Sequence, residues 1–237
     1  MPVTAEQVAA VITAMNAGVV PSDTPRMREC LVTVCIPVYN AIRTLPFCLE
    51  SLLEGEQSEP IALMIAENGS EDGTQVLVRA MGGDDPLTRR WWEKRYRSLT
   101  VVRVPHDEAY PVAGRQREFA NIRECFRAMV QKVATKFILW MDADVEAPRG
   151  AVATMRVALE QDDRIGCVGI DYSDHLTHVQ NGLFMLRTEL AREIVPMLTM
   201  TPPFTCMCSQ MNDRIKERGL KVVPLSPLSA RHLKLEI

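Results

Sequence analysis

Two aspartates separated by one residue, Asp142-Ala143-Asp144, stand directly after the apolar run Phe137-Ile138-Leu139-Trp140-Met141. Side chains two apart on an extended chain point the same way, so both carboxylates can reach one hard divalent cation. Mg2+ or Mn2+ held by one or two carboxylates keeps positions for waters and phosphate oxygens. The plainer alternative is a solvated loop in which Asp144 turns the chain into the next helix. Two more polar clusters follow apolar runs in the same manner. Pro37-Val38-Tyr39-Asn40 follows residues 31–36, and Glu67-Asn68-Gly69-Ser70-Glu71-Asp72-Gly73-Thr74 follows residues 61–66. No G-x-G-x-x-G or G-x-x-x-x-G-K-[ST] pattern occurs, so metal and side chains, not a glycine cradle, must hold any bound nucleotide's phosphates.

The elements that must position these clusters follow from hydrophobic period. Leu31-Val32-Thr33-Val34-Cys35-Ile36 reads as a buried strand that Pro37 stops. Leu45, Leu49, Leu52 and Leu53 then recur at helical spacing. A second buried strand covers 61–66, a helix 76–81, a third strand 99–104, a helix 114–133 and a fourth strand 136–141. This alternation predicts an α/β fold with a mainly parallel central sheet covered by helices on both faces. In such sheets ligands bind beyond the carboxyl ends of the strands, where the three polar clusters fall. After Pro148 the pattern loosens into a helix, strands near 165–170 and 182–186, two more helices and a polar tail. Residues 1–28, with a Thr4/Gln7 capping box and the breakers Gly18, Pro21 and Pro25, predict a helical arm. Residues 29–237 are then one domain.

The three clusters, in this order and at these distances, resemble the motifs of family 2 glycosyltransferases with the Rossmann-like GT-A fold. Val32-Thr33-Val34-Cys35-Ile36-Pro37-Val38-Tyr39-Asn40 is similar to that family's opening strand. Glu67-Asn68-Gly69-Ser70-Glu71-Asp72-Gly73-Thr74 is similar to its second motif, D-[DN]-G-S-x-D-G-T, and Asp142-Ala143-Asp144 to its metal-binding DxD. The resemblance covers about residues 31–190 and implies a metal-dependent transfer of a hexose from a UDP- or GDP-type nucleotide sugar to a hydroxyl acceptor. It implies that Pro37, Tyr39, Asn40 and Asn68 line the nucleotide pocket, and that Glu67, where Asp is more usual, reads the base. Asp142 would reach the ribose or a metal water. Asp144 would bind the Mn2+ or Mg2+ that bridges the diphosphate, with His232 as a third ligand.

On the helix 114–133, Phe119, Ile122, Phe126, Met129 and Val133 form an apolar stripe. Arg115 falls on its centre and Arg123 near its edge, while Arg117 and Asn121 face away. An arginine on a buried face needs an anionic partner because its charge cannot be neutralised. The resemblance makes that partner the donor phosphates for Arg115, then Arg123; a structural salt bridge is the alternative. Where the family carries an acidic pair at the start of a late helix, this chain has Met207-Cys208. A positioned base contributes roughly 10²–10⁴-fold to rate. Its role would pass to Asp171 or Asp174, or be unnecessary in a retaining enzyme, or be lost. Asp213 points away from the buried face defined by Met207, Met211 and Ile215.

Composition bounds these readings. With 27 Lys plus Arg against 30 Asp plus Glu, the net charge of −3 excludes attachment to nucleic acid by bulk charge. The cluster Arg89-Arg90-Trp91-Trp92-Glu93-Lys94-Arg95-Tyr96-Arg97 nevertheless has the composition to stack on bases and pair with phosphates, although an amphipathic surface helix has it too. No apolar run approaches the roughly 20 residues of a membrane span, and the N-terminus does not read as a secretory signal. Seven scattered cysteines read as reduced thiols used as small hydrophobes, which agrees with a cytoplasmic location. A saccharide or a hydroxymethylated DNA base is the expected acceptor class. A non-catalytic nucleotide-sugar-binding module is the competing reading.

Overall fold

The computed structural model describes residues 30–55, 60–82, 96–107, 115–170, 182–199, 207–225 and 231–233. The N-terminal arm lies outside them. In chain order the elements are β1 (Val32–Val38), α1 (Leu45–Gly55), β2 (Ile61–Glu67), α2 (Thr74–Gly82), β3 (Ser98–Arg103), α3 (Arg115–Val130) and β4 (Phe137–Met141). They continue with β5 (Val145–Glu146), α4 (Ala151–Gln161), β6 (Ile165–Gly169), β7 (Leu183–Arg187), α5 (Thr188–Ile194), α6 (Met207–Glu217), β8 (Lys221–Pro224) and β9 (Arg231–His232).

One seven-stranded sheet runs β3-β2-β1-β4-β7-β6-β8, and β5 pairs with β9 in a small second sheet. The pairs β3/β2, β2/β1, β1/β4 and β6/β8 are parallel, and β7 lies antiparallel to both β4 and β6. Every residue of β1, β2 and β4 is buried, as expected when helices cover both faces. The period of two divides their side chains into two cores. Val34, Ile36, Leu63, Ile65, Leu139 and Met141 share one with α1, α2 and α4. Cys35, Met64, Ala66, Ile138 and Trp140 share the other with α3, α5 and α6. Each large side chain removed from water contributes about 1.5–3 kcal/mol, so a one-residue slip of register, which would exchange the two faces, is strongly disfavoured.

Two expectations need correction. Pro37 does not stop β1. The ladder to β4 ends at Cys35↔Trp140 while the pairing with β2 continues to Val38↔Glu67, so the proline sits where the strand has one neighbour. Asn121 does not face away but is buried, because the chain after β3 folds over it and Asp107 N donates to its Oδ1 at 2.9 Å. Beyond the last helix, β8 extends the main sheet beside β6, and β9 pairs with β5.

Candidate functional site

The carboxyl ends of β1 and β2 are laced together by side chains bonding to backbone. Asn40, the one non-glycine with positive φ among the described residues (48°), turns the chain after β1. Its N donates to Ser70 Oγ at 3.0 Å, and its Oδ1 accepts from Glu71 N at 2.8 Å. Ala41 N donates to Thr74 Oγ1 at 2.9 Å, and Ile42 N to Asp72 Oδ2 at 3.0 Å. Asp72 Oδ1 also accepts from Thr74 N, capping α2. Asn68 and Ser70 are buried and fully engaged. The polar motif after β2 therefore builds the rim of the site as much as it faces a ligand.

Glu67 is turned inward: Ser70 N donates to its Oε1 at 2.6 Å. The extra methylene over aspartate lets the carboxylate fold back onto its own loop. Beside it, Asn68 Nδ2 donates to the carbonyls of Val104 and Pro105, each at 3.1 Å, and its Oδ1 meets His106 Nδ1 at 2.8 Å. The His106 ring stacks on Tyr39 with centroids 4.1 Å apart and planes 6° apart. Tyr39 is 42% exposed, so this two-ring platform is open to solvent. Sequence reasoning passed over His106; its place directly after the third strand was the available signal.

At the end of β4, Trp140 is fully buried between Phe126 and Phe184, and its Nε1 donates to Asp142 Oδ1 at 3.0 Å. Asp142 N donates to the Gly182 carbonyl at 3.0 Å, which holds this turn against the start of β7. Asp144 is exposed, and its carbonyl accepts from Leu233 N at 2.7 Å. The β5/β9 pairing sets His232 opposite Val145, so the tail brings the His232 backbone next to the acidic turn. The His232 side chain lies outside the described residues, and among those described no third Asp, Glu, His or Cys joins the pair to make a closed metal cage. An open pair of hard oxygen ligands fits Mg2+ or Mn2+, which leave positions for phosphate oxygens. Burial pushes the Cys48 thiol well above its ordinary value, with the charges of Asp144 and Asp142 adding to the shift.

Arg123 is buried, and its Nε and Nη2 donate to Glu124 Oε1 at 3.0 and 2.7 Å, the salt-bridge alternative for this residue. Arg115 opens α3, with its side chain outside the described residues, as are Asp171 and Asp174. At the start of α6, Met207 and Cys208 are buried while Asp213 is exposed. Of the Arg/Trp cluster, Tyr96 is buried and donates its hydroxyl to the Leu49 carbonyl at 3.1 Å, so this aromatic packs on the body.

Residues 33–99 match the family model for glycosyl transferase family 2. That matched segment lies on a fold of the GT-A kind. The chain is 27% identical, over 138 residues, to an uncharacterized glycosyltransferase of Bacillus subtilis (strain 168), YfnE; the match takes in 58% of this chain and 29% of that protein. The chain thus spans under a third of that relative. In fold it is similar to the mannosyltransferase PcManGT from Pyrobaculum calidifontis, solved with GDP-Man and Mn2+ (16% identity, TM-score 0.59, 95% of this chain and 67% of that one). It is also similar to glucosyl-3-phosphoglycerate synthase from Mycobacterium tuberculosis, solved with Mn2+ and UDP-glucose (15% identity, TM-score 0.54, 100% of this chain and 78% of that one). The segment matched by the family model ends before β4 and does not include the acidic turn.

Proposed function

We propose that the chain transfers a hexose from a UDP- or GDP-type nucleotide sugar to a hydroxyl acceptor, with Mn2+ or Mg2+ at Asp142 and Asp144. The observation that carries this is the acidic turn at the end of the central strand β4, anchored by the Trp140 indole on one side and Leu233 N on the other. A divalent cation there supplies positive charge that stabilises a leaving nucleoside diphosphate. The chain's own residues do the rest. Asp142, with one oxygen oriented by Trp140, and exposed Asp144 form the open pair, His232 completes it from the tail, and Arg115 meets the diphosphate from the first turn of α3. Pro37, Tyr39, Asn40 and Asn68 bound the nucleoside side of the pocket. Residues 29–237 act as one domain, and a cytoplasmic location agrees with the reduced, buried thiols. Among the described residues no helix is long and apolar enough to cross a membrane. A saccharide is the favoured acceptor, ahead of a hydroxymethylated DNA base, because Tyr96 is engaged in the core rather than facing outward.

A second reading is a nucleotide-sugar-binding module without turnover. It is favoured by Met207 and Cys208, apolar and buried where a carboxylate base would start α6. Calorimetric titration of UDP, GDP and their hexose conjugates, with Mn2+ and with EDTA, tests the common premise. Metal-dependent binding of one nucleotide is expected. Absence of binding under both conditions removes both readings, and binding without sugar release or transfer to any hydroxyl leaves the module.

A further inference from the structure

Three adjacent parallel strands deliver one residue each to a single cluster: Tyr39 after β1, Asn68 after β2 and His106 after β3. The Asn68 amide cannot be turned round, because its Nδ2 already donates to the carbonyls of Val104 and Pro105. Its Oδ1 therefore accepts, and the proton between the two side chains sits on His106 Nδ1. In the neutral ring that leaves Nε2 as a hydrogen-bond acceptor directed away from Asn68. Tyr39 fixes the plane of the ring by stacking. Gly69 permits the approach: its φ is +71°, and a Cβ there would lie 3.1 Å from His106 Cβ. A histidine clamped on three sides, with its fourth side unbonded among the described residues, is built to present one acceptor in one direction.

Its distance from the acidic turn gives that acceptor a use. In the order β3-β2-β1-β4, His106 stands three strand spacings from Asp142, about 14 Å at ~4.8 Å each. A nucleoside diphosphate whose phosphates lie at β4 extends across β1 and β2 and brings its base to β3. Glu67 has one carboxylate oxygen on Ser70 N, so the pinned histidine is the better-presented acceptor at that end.

We infer that His106 is a specificity-determining residue, accepting through Nε2 a hydrogen bond from the ring N–H on the Watson–Crick edge of uracil or guanine, which cytosine and adenine replace with an acceptor, with Tyr39 and Asn68 as its positioning residues. This rests on the nucleotide-sugar reading above. The test titrates UDP, CDP, GDP, ADP and inorganic pyrophosphate, each with Mn2+, into the wild-type chain, His106→Phe and His106→Gln. Phenylalanine keeps the stack and removes the acceptor; glutamine keeps an acceptor. An unmet buried N–H costs about 1–3 kcal/mol, or roughly five- to 150-fold. His106→Phe should therefore weaken the preferred nucleotide by about that factor, leave pyrophosphate unchanged and narrow the preference for that nucleotide over its size-matched counterpart without the ring N–H (UDP over CDP, or GDP over ADP), with His106→Gln restoring part of it. An unaltered UDP/CDP and GDP/ADP preference in His106→Phe, with pyrophosphate still bound, overturns the role of His106 and leaves the nucleotide-sugar reading standing. A wild-type chain that binds neither UDP nor GDP overturns both.

Discussion

The two halves of the sheet are made differently. In the parallel half, β3-β2-β1-β4, the strand ends carry polar residues that bond one loop to the next, from Asn40 and Ser70 to Asn68 and His106. In the other half, β7-β6-β8, the described packing is apolar: α6 buries Met207, Cys208, Met211 and Ile215 and lies so close to β6 that a Cβ on Gly166 would lie 2.6 Å from Ile215 Cγ2. Rims built from interlocked hydrogen bonds hold a ligand's polar edge in fixed register, whereas an apolar wall supplies shape and excludes water without moving protons.

The strongest way to break that comparison is Asp144→Ala. Metal-dependent nucleotide binding should fall by at least about 100-fold, since few other ligands remain, while the unfolding midpoint hardly moves because the residue is exposed. Calorimetry with Mn2+ and thermal unfolding read the two effects; unchanged binding would take the metal away from β4.

Alkaline stability comes next, and it reports mostly on the parallel half. Burial raises the thiols of Cys35, Cys48 and Cys167, and pushes Cys125 up to about 12 from an ordinary 9.0. Folded pKa values above the unfolded ones mean that stability is intact below about pH 9 and declines above it. There the unfolded chain releases protons that the folded chain retains. Each thiol contributes a slope of up to about 1.4 kcal/mol per pH unit. Urea unfolding between pH 8 and 10.5 should show the fall, and Cys125→Ala should flatten it.

Asp72→Ala sharpens the contrast at the rim. It removes the acceptor for Ile42 N and the cap on Thr74 N, at a cost of about 1–2 kcal/mol, and should loosen nucleotide binding more than pyrophosphate binding. The smallest effect belongs to Asp213→Asn. The side chain is exposed on α6, so stability should stay within about 0.5 kcal/mol and transfer rate should be unchanged. A large loss of rate with intact nucleotide affinity would instead make Asp213 the acceptor's base and end the contrast between the halves.

Much of this arrangement was legible along the chain, and the illegible part has a common cause. β1, β2 and β4 announce themselves because burial on both faces demands an unbroken apolar run, and the acidic turn is conspicuous because charge directly after such a run is unusual. Asn121 was misjudged because a helical stripe records which residues dislike water. A buried polar residue satisfied by a distant backbone N–H leaves no such record. Glu67 carries the motif's carboxylate in sequence, yet its direction was decided by the length of its side chain and the position of Ser70 N.

What the sequence determined alone is whatever depends on neighbours in the chain: the strand–helix alternation, the two-faced core, the place of Asp142 and Asp144 directly after an apolar strand, and the absence of a glycine phosphate cradle. Only the tertiary structure decided how distant pieces meet. It set β8 and β9 into sheets, brought the His232 backbone beside the acidic turn, and stacked His106 on Tyr39 across an interval of 67 residues in the chain. The physical reason is that hydrophobic period encodes which face of an element is buried, while hydrogen-bond partners and ring contacts depend on the position of a second segment that no local pattern specifies.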